Sequence, residues 1–336
     1  MATAISRPIR RAAKGATAIG QLDFDQVAPL SHSMFREIES LAISFNAMLE
    51  VLKAFGRYVP RSLVMRLIKE GGFGAGTSER AVAIMFTDIV SFTAICEKMT
   101  AIEVAAFINH HLTLISACVE REGGTIDKFI GDAVMAFWGA PANNPDHAVD
   151  CCRAALACQR AVQDLGLVDD EGRAVNIRIG VNSGDMLVGN IGSEVRLNYT
   201  VIGDAVNIAS RLESTNKVFG SQIIIGPETR RLAGDRVSVR ELDRLAVYGR
   251  SGGLQVYELL GMADEFVDRS DWVGFYEAGL KSYRARDFTA AIADFEKVVS
   301  LRKQDQASSR MIERCKQQLE TPTGDGWDDT AIALTK

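Results

Sequence analysis

Two aspartates stand where a charge is costly. Asp88 closes the apolar run VAIMFTD (82–88), and Asp132 lies between the apolar stretches of IDKFIGDAVMAFW (126–138). A carboxylate at the end of a buried strand needs a partner or a metal. Two of them at the ends of adjacent strands can meet and bind a divalent cation through oxygen. Taken singly, each reads first as a turn-forming or capping residue. A second pair, Asn207 and Arg211, is spaced i, i+4 in DAVNIASRLE (204–213) and so shares one face of a helix that Asp204 is placed to cap. The apolar Val206, Ile208 and Ala209 make that helix largely enclosed, which argues against a merely solvated pair.

Other nucleophile and ligand patterns are absent. His110 and His111 have no neighbouring ligands in the pattern and read as helix surface or core. The six cysteines (Cys96, Cys118, Cys151, Cys152, Cys158, Cys315) show no CxxC spacing. Most fall in helical stretches, where a free thiol packs as a small hydrophobe, so they read as reduced and the compartment as cytosolic. No Ser-His-Asp or Cys-His arrangement is visible.

These groups must be held by a framework, and the pattern from Arg80 to about Gly261 alternates strands and helices. VAIMF (82–86) is apolar at every position, as a strand buried on both faces requires. A helix follows to about Glu120, then TIDKF (125–129) and AVMAFW (133–138) flank Ile130-Gly131-Asp132 as a hairpin. Asp146–Val162 reads as helix and VNIRIGV (175–181) as strand, followed by MLVGNI, LNYTVI, a helix from Asp204, and the strand-rich QIIIG and LQVYELL. This is an α+β sandwich. After Gly261, Tyr283, Phe288, Ala291 and Phe295 mark a helical hairpin like one tetratricopeptide unit, with RMIERCKQQLE as a third helix. A single such unit cannot bury its own apolar face and must pack on a neighbour. Residues 262–320 form this segment, and the tail 321–336 reads as flexible.

At the N-terminal end two helices are expected. Ile9, Ala12, Ala16 and Ile19 recur at 3-4-3 spacing, with Pro8 in the first turn and Gly20 as the stop. Ile38, Leu41, Phe45, Met48 and Leu52 form a heptad seam that needs a partner, either in its own domain or in another helix. Residues 54–79 link this region to the strands. The glycines of GGFGAG (71–76) fit neither GxGxxG nor a P-loop, and no strand precedes them.

Composition bounds the function. The 336 residues are 47% hydrophobic and 24% charged, enough for two or three domains. A net charge of −5 argues against a general nucleic-acid binder. No apolar run reaches the roughly 18 residues that a membrane-spanning helix needs.

The wording of four blocks is more specific than any of these patterns. MFTDIVSFT (85–93), IDKFIGDAVMAFWG (126–139), RIGVNSGDMLVGNIG (178–192) and LNYTVIGDAVNIASRLE (197–213) resemble, in order and spacing, a class III adenylyl/guanylyl cyclase of the bacterial adenylyl type. The resemblance implies a ferredoxin-like α+β catalytic domain over 80–261. It implies that Asp88, Asp132 and the carbonyl of Ile89 hold two Mg²⁺ or Mn²⁺ ions. It gives the amides towards Phe92 and Thr93 to phosphate oxygens, Arg178 to the terminal phosphates, Lys128 and Thr200 to the purine, Asn207 to the ribose and Arg211 to the transferring phosphate. Lysine donates to N1 of adenine and a threonine hydroxyl accepts from its 6-amino group, so ATP is the implied substrate and GTP the alternative. The other reading of Lys128 is a strand lysine reaching for solvent. The family's VKGK appears here as VYGR (247–250), so Tyr248 cannot carry the usual triphosphate charge and Arg250 is the candidate replacement. The aspartates on one protomer and the purine, Asn and Arg positions on the other imply a homodimer with shared sites. Separately, ISRPIRR with EIESLAISFNAML resembles a HAMP relay over 1–53, resting on Pro8, Glu37 and the two heptads. Such relays follow a membrane sensor, and Arg7, Arg10, Arg11 and Lys14 suit the cytoplasmic face of a membrane. A catalytically silent signalling scaffold is the reading from a different functional class.

Overall fold

The computed structural model describes residues 2–56, 61–69, 76–166, 174–193, 195–247, 253–265, 271–321, 324, 327 and 329–334. The chain divides into two compact units, Met1–Gly76 and Thr77–Lys336.

The first unit contains α1 (Ala2–Gly20), α2 (Arg36–Phe55) and α3 (Arg61–Lys69). Pro8 lies inside α1 rather than in its first turn, because the chain from Ala2 to Arg7 continues the helix ahead of it. A proline there forgoes one intrahelical hydrogen bond. The connector between α1 and α2 is ordered by its own apolar residues. Val27 and Leu30 bury against Ala42, Phe45 and Leu49, with Ala12, Ala18 and Ile19 alongside. Asn46 fixes it by taking the Leu30 amide at 2.8 Å and giving to its carbonyl at 2.9 Å. This shifts the buried stripe of α2. Ile38 and Phe45 are buried as the heptad predicts, but Leu41 and Met48 remain 38% and 45% exposed.

The second unit begins with β1 (Ser78–Ile89), α4 (Phe92–Cys96), α5 (Ala101–Arg121), β2 (Thr125–Ile130), β3 (Ala133–Trp138), α6 (His147–Asp164) and β4 (Ile177–Gly192). Its sheet order β2-β3-β1-β4, antiparallel throughout, is the ferredoxin-like arrangement. A reciprocal capping box between Thr100 and Glu103 starts α5. Among the described residues α5 is the one helix long and apolar enough to cross a membrane by composition. Here its Ile115, Cys118 and Val119 are buried against the sheet.

Both faces of β1 are covered, as its unbroken apolar run predicts. Ala83 and Met85 face α5 and α6 together with Val134, Ala136, Ile177 and Ile179. Val82 and Ile84 face the opposite side with Met135, Phe137, Met186 and Val188. Each buried Val, Ile, Met or Phe among them contributes about 1.5–3 kcal/mol, and each Ala less. The sequence MLVGNI is not a separate strand. β4 runs on through Gly184, because β1 pairs it without interruption (Val82 opposite Gly184, Ala81 opposite Asp185). Its far end forms an arm with β5 (Leu197–Ile202).

Next come α7 (Asp204–Phe219), β6 (Ile223–Ile225), α8 (Pro227–Ala233), β7 (Val237–Val247) and β8 (Leu254–Met262). Gly203 occupies the N-cap of α7, so Asp204 stands in its first turn rather than capping it. An acidic residue there still complements the helix dipole.

The C-terminal helices α9 (Trp272–Arg284), α10 (Phe288–Leu301) and α11 (Gln306–Glu320) bury their apolar face on this unit. Tyr276, Leu280, Phe295 and Met311 join Leu212 and Phe219 of α7 and Leu242 and Val256 of the sheet. Arg240 rivets the junction: its buried guanidinium lies 2.6 Å from Glu258 and 2.8 Å from Asp305 and stacks on Trp272 and Tyr276. Arg240→Ala leaves two carboxylates buried without their cation, an expected loss of about 3–5 kcal/mol. An unchanged urea midpoint in that variant contradicts this assignment. The tail, expected to be flexible, is instead structured where it is described. Trp327 packs edge-on against Tyr283 and Phe288, and β9 (Ala331–Leu334) pairs in parallel with β7.

Candidate active site

Asp88 and Asp132 meet because β1 and β3 are neighbours. Thr87 lies opposite Val134, which brings the end of β1 beside the β2–β3 turn. Gly131 makes that turn possible with φ +66°, a left-handed conformation open to glycine at no steric cost. The Ile89 amide donates to Asp132 Oδ2 at 3.1 Å, so the backbone itself ties the two carboxylates together. Burial pushes the Asp88 carboxyl up to about 6, and the nearby Asp132 charge adds to the rise. Arg178, opposite Asp88 on β4, pulls it back. Two crowded carboxylates with a strand-end carbonyl form an oxygen donor set of the sort Mg²⁺ completes with phosphates and water. Among the described residues no group of three or more His, Cys, Asp or Glu converges as a metal site. Phe92 and Thr93 open α4 directly after this strand, behind Ser91 in a left-handed turn at φ +57°.

Lys128 and Thr200 are 72 residues apart and meet across the sheet face, Lys128 Nζ lying 3.5 Å from Thr200 Oγ1. Thr200 comes from β5, whose arm with β4 places it opposite Gly189. Between them lies Asp127, which accepts from the Thr200 hydroxyl and sits 3.2 Å from Lys128 Nζ.

Asn207 and Arg211 lie one turn apart on α7, the former exposed and the latter half-buried. Gly180 lets this helix approach β4: a Cβ there would stand 2.2 Å from the Ala209 carbonyl and the Glu213 amide. Among the described residues, no hydrogen bond or ion pair joins Asp88 or Asp132 to Lys128, Thr200, Asn207 or Arg211. Tyr248 and Arg250, and with them the VYGR question, lie outside the described residues, as do the glycines of 71–75.

Residues 76–261 match the adenylate and guanylate cyclase catalytic domain. The chain belongs to this cyclase family. It is 34% identical over 268 residues to adenylate cyclase 1 of Rhizobium meliloti, covering 78% of this chain and 40% of that one. It is 32% identical over 252 residues to an adenylate cyclase of Anabaena cylindrica, covering 70% and 48%. The chain thus spans less than half the length of these relatives. Among solved structures, the adenylyl cyclase CyaB of P. aeruginosa superposes with a TM-score of 0.51 at 32% identity, covering 57% of this chain and 100% of that one. The guanylyl cyclase Cya2 superposes with a TM-score of 0.52 at 30% identity, covering 57% and 98%.

Within this cyclase domain two residues, Asp127 and Glu213, escaped sequence reasoning. Glu213, two positions beyond Arg211, has a buried Oε1 without a partner. Burial, and then the Asp88 charge, push its carboxyl up to about 7, while Arg178 opposes the shift. His111 is buried in α5 and held down to about 4 by that burial, while His110 is exposed, so the expected helix surface and core are each occupied by one of the two histidines. A lone polar residue at an apolar helical position was the available signal for Glu213.

Proposed function

We propose that this cyclase domain makes 3′,5′-cyclic AMP and pyrophosphate from ATP. The observation that carries the reading is the meeting of Lys128 with Thr200, a donor beside an acceptor, which complements N1 and the 6-amino group of adenine. Guanine presents the reverse pattern, N1–H and O6, and would oppose Lys128 with a donor.

Asp88, Asp132 and the Ile89 carbonyl are the groups that would hold two Mg²⁺ or Mn²⁺ ions. Bound there, such ions acidify the ribose 3′-hydroxyl and neutralise phosphate charge. The residues then divide the remaining work. Arg178, beside Asp88, reaches for the terminal phosphates. The amides at Phe92 and Thr93 receive phosphate oxygens as α4 begins. Asn207 orients the ribose so that its 3′-oxygen lies in line with the α-phosphorus. Arg211 stabilises the charge that builds on the transferring phosphate as pyrophosphate departs.

The resemblance to the cyclase family supports a homodimer in which each site takes the aspartates from one protomer and Lys128, Thr200, Asn207 and Arg211 from the other, and no described hydrogen bond or ion pair joins the two groups within one chain. Residues 1–53 serve in this reading as a HAMP-type relay from a sensor at the membrane, altering how the two catalytic domains meet. Unchanged activity and unchanged sensor response after deletion of 1–53 would remove that part.

The test is turnover of ATP by the purified chain with Mg²⁺ or Mn²⁺. Cyclic AMP and pyrophosphate in equal amounts, abolished by a chelator, are expected. No product with either metal favours a silent scaffold instead.

A further inference from the structure

Adjacent residues of a regular strand point to opposite faces, yet Asp127 and Lys128 both reach the same threonine hydroxyl. The cause is a β-bulge. Ile126 lies opposite Ala136 and Lys128 opposite Met135, so Asp127 is the extra residue with no partner on β3. Bulges re-aim side chains in this way, often beside active sites. The Asp127 side chain is 1% exposed, whereas that of Lys128 is 43% exposed. A buried carboxylate is thus set behind the exposed Lys128 and the largely buried Thr200.

We propose that Asp127 is a positioning residue that fixes the hydrogen-bonding polarity of the Lys128–Thr200 pair and thereby selects adenine. The proposal rests on the adenylyl cyclase reading above. A hydroxyl has one hydrogen and two lone pairs, and an ammonium has three hydrogens and none. Thr200 spends its hydrogen on Asp127 and one lone pair on Lys128. Lys128 spends one hydrogen on Thr200 and is held by charge to Asp127 Oδ1, 3.2 Å away, without a hydrogen bond to it. What remains is a second lone pair on Thr200 and two N–H groups on Lys128. That remainder matches the 6-amino donor and the N1 acceptor of adenine and mismatches guanine at both atoms.

Without the carboxylate, the threonine hydrogen is free to turn outward and donate to O6, and the ammonium loses its anchor. Asp127→Asn makes this change with little change in shape, since the amide N–H can donate to Thr200 Oγ1. The experiment measures kcat and KM for ATP, GTP and purine riboside 5′-triphosphate, which lacks the 6-amino group. In the unmutated chain ATP should lead both others. In Asp127→Asn, kcat/KM for ATP is expected to fall about 10- to 100-fold, chiefly through KM. Over the same comparison, kcat for purine riboside triphosphate should stay within about threefold, and the ATP/GTP ratio should drop at least about tenfold.

Asp127→Ala is made in parallel and should show the same collapse of selectivity. Asp127→Glu, which keeps the charge, should recover part of it. Variants are scored when their far-ultraviolet circular dichroism matches the unmutated chain. If all three lose the fold, Thr200→Ser is scored in their place, since it keeps the hydroxyl that Asp127 accepts from. Retained ATP preference there supports the proposal, and lost preference overturns it. Equal losses for all three nucleotides, or an ATP/GTP ratio within about threefold of the unmutated value, overturn the role of Asp127. An unmutated chain that prefers GTP overturns the adenylyl reading itself, so the two failures are told apart.

Discussion

Mixing purified Asp88→Ala and Arg211→Ala chains is expected to restore cyclic AMP synthesis that neither shows alone. Each variant by itself should lose about 10²- to 10³-fold in kcat, one through the oxygen donors and the other through the phosphate charge. In a two-fold dimer with shared sites, random pairing gives half heterodimers. Each heterodimer carries one site with both mutations and one with neither, so recovery approaches about one quarter of the unmutated rate. The structural ground is that Asp88 and Asp132 close on each other at the β1–β3 end, held by the Ile89 amide. No described hydrogen bond or ion pair links them to Arg211. A mixture that stays inactive while both variants form dimers would place the whole site within one chain.

Replacing Lys128 with glutamate carries the second large effect. A carboxylate at that position presents an acceptor to adenine N1, itself an acceptor, and stands beside the buried Asp127. The kcat/KM for ATP is expected to fall about 10³-fold, with a larger share in KM than in kcat. Turnover of GTP should rise at the same time, since its N1–H now meets an acceptor. Steady-state kinetics with both nucleotides decide the matter. An ATP value within about threefold of the unmutated chain would mean that Lys128 is a strand lysine reaching solvent, not a reader of the base.

Much of this site was legible in the sequence because its physics is local. A charge that closes an apolar strand announces itself, and Asp88 and Asp132 adjoin runs whose Val82–Met85 and Val134–Trp138 the structure buries, although Phe129 and Ile130 stay exposed. The i, i+4 spacing of Asn207 and Arg211 places them on one helical face whatever surrounds that helix. Lys128 and Thr200 carried no such local signal. They were reachable through the matched blocks, and the structure brings them together through the β4–β5 arm. The β4 strand itself was misread as two pieces because Ser183-Gly184-Asp185 has the composition of a turn, which pairing with β1 overrides.

What was not legible depends on contacts remote in sequence. Asp127 gains its meaning from a bulge, and one extra residue reverses the alternation on which strand reading rests. The tail looked flexible by composition, yet Trp327 finds Tyr283 and Phe288, and the segment beyond it finds the edge of β7. In α2 the buried stripe is decided by Val27 and Leu30 of the connector, which no heptad count within the helix can include.

The central claim is the choice of adenine, and one competition assay addresses it directly. The purified chain is given equimolar ATP and GTP with Mn²⁺, and the cyclic products are resolved by mass. The account predicts cyclic AMP in excess of cyclic GMP by at least about tenfold. Cyclic GMP as the dominant product would contradict it.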